Sequence, residues 1–336
     1  MRIGRKRMVL CVSFIILNLF SLQHAYSKEL EAVKVYYKPT IGQAPIMIAV
    51  EEGFFEEQGI KVEFVKVNTS SEIWLLFLNG AIDVKLAAPA SALYTAAALN
   101  KNIKLVAGSN YLKRGNKSEG LAVRTGANNK ADTETIVKGL KGKKLGILQV
   151  GSLASYLVDI TLKKYGLSDK DVELVNMPLS SMSQALQSGI LDAGILSEPF
   201  VSILRMKYGD LITMVPFGDA SPDTPYIFMV YGERLLVKDP QLGVRFMTAW
   251  LKGLRQYDEG KTARNMEIIE KYTELDEETL KNVDWVILNP DGIYESSKIL
   301  DNYQDWLLGK NLIDKKVPAG SLVDTSFLER ARSNLE

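Results

Sequence analysis

Cysteine and histidine are almost missing from this chain of 336 residues, which has one of each, Cys11 and His24. Both lie in an N-terminal stretch with the layout of an export signal: Arg2, Arg5, Lys6 and Arg7, then an apolar run from Met8 to about Leu22, then Ala25-Tyr26-Ser27 as a cleavage site. The run is interrupted by Ser13 and Asn18 and falls short of the roughly 20 residues a spanning helix needs. Residues 1–27 are therefore expected to be removed. Cys11 follows Leu10 rather than a small residue, so the processed chain is expected to be free in the periplasm and not lipid-anchored. What remains would have no disulfide, no cysteine nucleophile, no histidine base and no Cys/His metal site. A carboxylate pair or an oxygen-ligated metal would survive that test.

Other features are also scarce. Beyond the signal there are 37 Lys and Arg against 40 Asp and Glu, a balance that makes nucleic acid an unsuitable partner. No second apolar run of 18 residues occurs. The 309 residues after Ser27 suit two domains.

What is present is a repeat. A strand Val33–Tyr37, a loop with Gly42, a helix Pro45–Gln58, Gly59, a strand Val62–Val65, Ser70-Ser71, a second helix, Gly80-Ala-Ile-Asp83, a strand Val84–Ala87 and Pro89 follow one another. From Lys144 the order recurs: strand Leu145–Leu148, Gly151, helix Leu153–Tyr165, Gly166, strand Val172–Val175, Ser180-Ser181, a helix ending near Gly189-Ile-Leu-Asp192, strand Ala193–Leu196 and Pro199. Alternating strands and helices imply parallel sheets covered by helices. Gly59 and Gly166 suit helix ends that need a positive φ, and the serine pairs suit N-caps. Two further apolar segments, Gly120–Arg124 and Tyr226–Tyr231, are expected to cross between lobes. The remainder reads as helices Asp239–Tyr257, Lys261–Tyr272, Asp276–Val283 and Ile293–Leu308.

Several motifs then resemble a known group. Ile41-Gly-Gln-Ala-Pro-Ile-Met-Ile-Ala49, Gly53-Phe-Phe-Glu-Glu-Gln-Gly59, Gly80-Ala-Ile-Asp83, Leu140-Lys-Gly-Lys-Lys144, Gly189-Ile-Leu-Asp-Ala193 and Glu198-Pro199 together resemble the periplasmic binding proteins for nitrate, sulfonate, taurine and thiamine precursors, the NMT1/THI5-like group. The resemblance runs from about Val33 to Trp250. It implies an α/β protein of the type II periplasmic-binding fold, with residues 28–120 and 228–336 in one lobe, 121–227 in the other, and a hinge of two crossovers. It also implies capture of a small solute, delivery to an ABC permease with its ATPase, a monomer and no cofactor. Some relatives are pyrimidine synthases that use a histidine, and that chemistry has no residues here.

Parallel sheets bind ligands at the carboxyl ends of their strands, where helix starts present free N–H groups. Gly151 and Ser152 are the first candidates, donating to an anionic head at the start of the Leu153 helix. The structural alternative is that Gly151 makes the turn and Ser152 caps the helix. Leu153 and Ser155 belong to the same segment. Thr40, Gly42 and Gln43 are the counterparts in the first copy, with Asn68, Ala90 and Ser91 at neighbouring strand ends. Glu198 could meet a ligand ammonium or hydroxyl, or cap a helix. Asp223 could line the hinge side or make a turn. Trp74, Tyr94 and Tyr156 could pack against an aromatic ligand or belong to the core. Gly139-Leu-Lys-Gly-Lys-Lys144 is not a phosphate loop, because it lacks the required spacing and precedes a strand. The rival to a binding protein is a secreted hydrolase with two cleft carboxylates, of which Glu198 is the one evident in the sequence.

Overall fold

The computed structural model describes residues 29–336 except 68–69, 127–128, 274 and 290–296. The expected signal and Asn68 lie outside the described residues. Residues Ala32–Glu336 form one compact unit, and no helix among the described residues is long and apolar enough to cross a membrane.

Two five-stranded sheets carry the fold. The strands are β1 (Glu31–Tyr37), β2 (Ile60–Lys66), β3 (Val84–Ala87), β4 (Lys104–Gly108), β5 (Tyr111–Leu112), β6 (Glu119–Arg124), β7 (Lys144–Ile147), β8 (Glu173–Asn176), β9 (Ala193–Ser197), β10 (Ile212–Pro216), β11 (Thr224–Pro225) and β12 (Phe228–Tyr231). The first sheet has the order β2-β1-β3-β12-β4 and the second β8-β7-β9-β6-β10. The orders correspond strand for strand, so the sequence repeat is a structural one. Each sheet also ends alike, with β12 antiparallel to both β3 and β4, and β6 antiparallel to both β9 and β10.

The repeat extends to single hydrogen bonds. The Asp83 carboxylate accepts the Lys34 N–H at 2.9 Å, and Asp192 accepts the Lys144 N–H at 3.0 Å. In each Gly-x-x-Asp turn the aspartate ties the approach to its strand onto the start of the neighbouring one.

Two expectations need correction. Gly120–Arg124 and Tyr226–Tyr231 do not themselves cross; β6 and most of the second segment are antiparallel strands inside the sheets. A run buried nearly throughout, as β6 and β12 are, has its apolar faces satisfied only within a layered sheet. The passage is made just before them by β5 and β11, which pair as a short ribbon, Thr224 opposite Leu112 and Pro225 opposite Tyr111. The helix expected over 45–58 is also broken. Ala44–Glu51 is helical, Gly53 takes φ 73°, and a separate turn of helix covers Phe54–Glu57.

The helix Pro240–Asp258, capped by Asp239 on the Leu242 N–H at 2.9 Å, packs on Ala44–Glu51 and on Ser326–Ser333. Together with β1, β3 and β12 these helices enclose one core. A second core is continuous from Trp74 and Tyr94 beside the first sheet, through Tyr303 and Leu307, to Leu121, Leu145 and Leu157 in the second.

Candidate functional site

A cavity of about 120 Å³ lies where the carboxyl ends of β1 and β3 face those of β7 and β9. Its walls include Lys38, Thr40, Gly42 and Gln43 after β1, Ile73 and Trp74 from the helix Ser70–Leu78, and Lys85 to Ala90 along and after β3. Asn110, Glu119, Tyr226 and Ile227 come from the crossing segments, and Leu148, Gln149, Ser152, Leu179, Ile195 and Ser197 from the second sheet's side.

The first wall is held by its own hydrogen bonds. The Gln43 side-chain oxygen accepts the Lys38 N–H at 2.8 Å, and its amide donates to the Tyr36 carbonyl at 3.3 Å. The Thr40 carbonyl accepts the Gln43 N–H at 3.0 Å. Gly42 serves a close approach: a β-carbon there would stand 2.6 Å from the Asn110 amide nitrogen. Any larger residue would force the buried Asn110 side chain to move.

Lys85 sits in the middle of β3 with 2% of its surface exposed. Its ammonium lies 3.5 Å from the centre of the Trp74 ring, a cation–π contact. No carboxylate or hydrogen-bond acceptor among the described residues pairs with it. Burial holds its pKa well below the usual lysine range.

Glu119 opens β6 and is 7% exposed. Its one side-chain hydrogen bond among the described residues is a long one from the Asn110 amide at 3.4 Å. Burial pushes its carboxyl up to about 8, against the opposing charge of Lys38 and the Asn110 bond, while Glu198 adds to the rise. Burial in turn lowers Lys38, and Glu119 opposes that shift.

Of the candidates read from sequence, Thr40, Gly42, Gln43, Ala90 and Ser152 meet in this cavity, as does Trp74. Gly151, Leu153 and Ser91 do not line it but adjoin its wall residues Ser152 and Ala90 where the two helix starts meet each other, and Gly151 and Ser155 line a second cavity with Trp306 and Lys310. The Ser91 N–H donates to the Gly151 carbonyl and the Leu153 N–H to the Pro89 carbonyl, each at 2.9 Å, and Ala90 bridges Ser152. Gly151 has φ 74°, so it also makes the turn. The Ser152 hydroxyl accepts the Ser155 N–H at 3.1 Å and donates to the Gln149 carbonyl at 3.0 Å, and the Ser155 hydroxyl donates to the same carbonyl at 2.6 Å.

Glu198 lies off the cavity. It accepts the Ser202 hydroxyl at 2.8 Å, the Ser202 N–H at 3.0 Å and the Asp284 N–H at 3.1 Å, and burial pushes it up to about 7. The cleft carboxyl is Glu119 and not Glu198, because Glu198 faces the start of the helix Phe200–Tyr208 and its donors. Asp223 is exposed and pairs with Lys113 beside the ribbon. Tyr94 and Tyr156 gather around Tyr303, with ring centres 5.5 and 5.8 Å away.

Lys38, Lys85, Asn110 and Glu119 escaped the sequence reading. A signal for two of them existed, since Lys85 interrupts the apolar run Val84–Ala87 and Glu119 adjoins Gly120-Leu-Ala-Val. A charge in a buried strand calls for a reason.

Two ammonium groups, one carboxyl and several apolar walls can hold a small anion with an apolar remainder. Among the described residues no group of three His, Cys, Asp or Glu could hold a metal ion.

The sequence profile of the NMT1-like family matches residues 27–270. The chain belongs to that family. Among its relatives is a Bacillus subtilis (strain 168) protein whose name is that of an aliphatic sulfonates-binding protein, 24% identical over 313 residues covering 90% of this chain and 89% of that one. Over a shorter span, a Saccharomyces cerevisiae 4-amino-5-hydroxymethyl-2-methylpyrimidine phosphate synthase is 26% identical across 159 residues, 47% of this chain and 43% of that one. The zinc-bound ligand-binding component of an ABC-type import system from Staphylococcus aureus has a similar fold, with a TM-score of 0.72 at 17% identity, covering 90% of this chain and 99% of that one. The alkanesulfonate-binding protein SsuA from Xanthomonas axonopodis pv. citri, bound to MOPS, gives 0.68 at 19%, covering 88% and 99%. The family's two-sheet α/β fold is thus the fold of this chain.

Proposed function

We propose that this chain is the exported solute-binding component of an ABC-type importer, and that it takes a small organic anion between its two sheets. The observation that carries the reading is Lys85, a buried ammonium facing the cavity with no carboxylate to neutralise it among the described residues. A buried charge needs a counter-charge or loses its proton, and an anionic ligand supplies one. The Trp74 ring and the walls from Ile73, Leu148, Leu179, Ile195 and Ile227 suit an apolar remainder. Relatives named for sulfonates fit that chemistry.

The mechanism is closure. The residues that face the ligand come from both sheets, and the ribbon of β5 and β11 is the joint about which they part. A ligand that touches both sides binds the closed form better and shifts the population toward it. A permease with its ATPase then receives the closed monomer in the periplasm. A hydrolase with two cleft carboxylates has less support, because Glu119 is the one carboxylate in the cavity wall among the described residues.

A binding screen of short alkanesulfonates, carboxylates and nitrate tests the reading. A ligand at 100 times its Kd raises unfolding stability by about 2.7 kcal/mol if it binds the folded state alone. Lys85→Met, which keeps an unbranched chain without the charge, is expected to weaken the binding of any anion found by at least about tenfold, the value of losing a charged hydrogen bond. Anion binding untouched by that change, or turnover of a screened compound, would sink the proposal.

A further inference from the structure

Two other buried carboxyls, Asp83 and Glu198, are well supplied with donors. Asp83 accepts the Lys34 N–H and the Arg234 guanidinium, and Glu198 accepts three donors. Glu119 is different: it is nearly as buried, it lines the cavity, and it has one long bond from Asn110 and no ion pair within 4.0 Å among the described residues. The charged and titratable groups facing it are Lys38 after β1, Glu198 after β9 and Tyr226 before β12. An ionised carboxylate so placed would lack the donors that stabilise its charge, whereas a protonated one needs a single acceptor.

We propose that Glu119 meets the ligand as a neutral carboxylic acid, donating its hydrogen to the anionic head that Lys85 attracts, and so selects anions over cations in this cavity. The inference rests on the anion-binding reading of the same site. It adds that the carboxyl most exposed to the ligand is a donor and not a counter-charge for an ammonium. Its high proton affinity agrees, since burial is the largest cause of the shift.

Two measurements decide it. Infrared difference spectra of the ligand-free protein at neutral pH, wild type against Glu119→Gln with carbon-13 label in glutamate, read the proton directly. A protonated-carboxyl band that disappears in the variant supports the proposal, and its absence overturns it whether or not a ligand is known. Calorimetry with butanesulfonate and butylammonium reads the selection. Butanesulfonate should bind and lose affinity as pH rises through about 8. Glu119→Leu should weaken it at least about tenfold, and Glu119→Gln should be weakened less and lose the pH step. Butylammonium bound in preference, or a sulfonate affinity with no step near that pH, overturns the proposal. If neither compound binds, the anion-binding reading fails and the infrared band still settles Glu119.

Discussion

Lys85 and Glu119 are both buried in strands, and their protonation shapes stability as well as binding. The folded chain keeps the Glu119 proton up to about 8, while the unfolded chain loses it in the ordinary glutamate range near roughly 4.3. Between those values the unfolded state holds fewer protons, so stability falls as pH rises. The penalty is absent below the lower value and complete above the upper one. Melting followed from pH 5 to pH 9 should show wild type losing ground to Glu119→Gln across that window and levelling beyond it. A difference flat in pH would mean that Glu119 is ionised throughout. Ser152→Ala should cost about 1 kcal/mol of unfolding stability, because its hydroxyl caps the helix Leu153–Lys164; a urea titration checks it. Capping was legible in the sequence, since Ser before an apolar helix has a local cause. For Glu119 only the charge beside an apolar run was legible, because Lys38 is distant in the chain and Asn110, nine residues before it, meets it only through the path of the chain between β4 and β6.

At the scale of elements the repeat was the most legible feature. Strand alternation and Gly-x-x-Asp turns are local signals, and both sheets follow from them; the expected cap at Ser180-Ser181 does not form, because both serines lie inside the helix Leu179–Ser188, whose N-cap position is Pro178. The broken helix at Gly53 and the ribbon crossing were missed, because an apolar run does not say by itself where it turns or which sheet receives it. The paired aspartates give a test of the duplication's unequal halves. Asp83 is 5% exposed and also holds Arg234 at 3.0 Å, whereas Asp192 is 40% exposed with Lys143 at 3.7 Å. Asp83→Ala is expected to lower stability by roughly 2–3 kcal/mol, discounted from a fully buried pair because Arg234 is part-exposed, and Asp192→Ala by about 1 kcal/mol. Equal losses in chemical denaturation would show that the Asp83 ion pair contributes nothing beyond the shared backbone bond.

For the whole molecule, the two sheets meet at the cavity rim and again through the helix Ser297–Gly309. Trp306 donates to Asp159 at 2.8 Å, Lys310 pairs with Asp169, and the Tyr303 hydroxyl donates to the Gly151 carbonyl. On the proposed closure these contacts form as the two sides meet, so Tyr303→Phe should speed ligand release several-fold, up to about tenfold, and leave the rate of capture nearly unchanged. Stopped-flow kinetics separates the two, and a change confined to capture would place Tyr303 outside the latch. The rim has one more consequence. The helices Ser91–Ala98 and Leu153–Lys164 begin facing each other, so closure brings together two helix ends that each carry about half a positive elementary charge. Reciprocal hydrogen bonds, Ser91 N–H to the Gly151 carbonyl and Leu153 N–H to the Pro89 carbonyl, hold the two ends together against that repulsion, and an anion behind them would offset it further. Salt then acts in opposite directions on the two states, weakening the pull on the anion while screening the two ends from one another, and the ligand-free chain should scatter X-rays as a more compact particle at high ionic strength than at low.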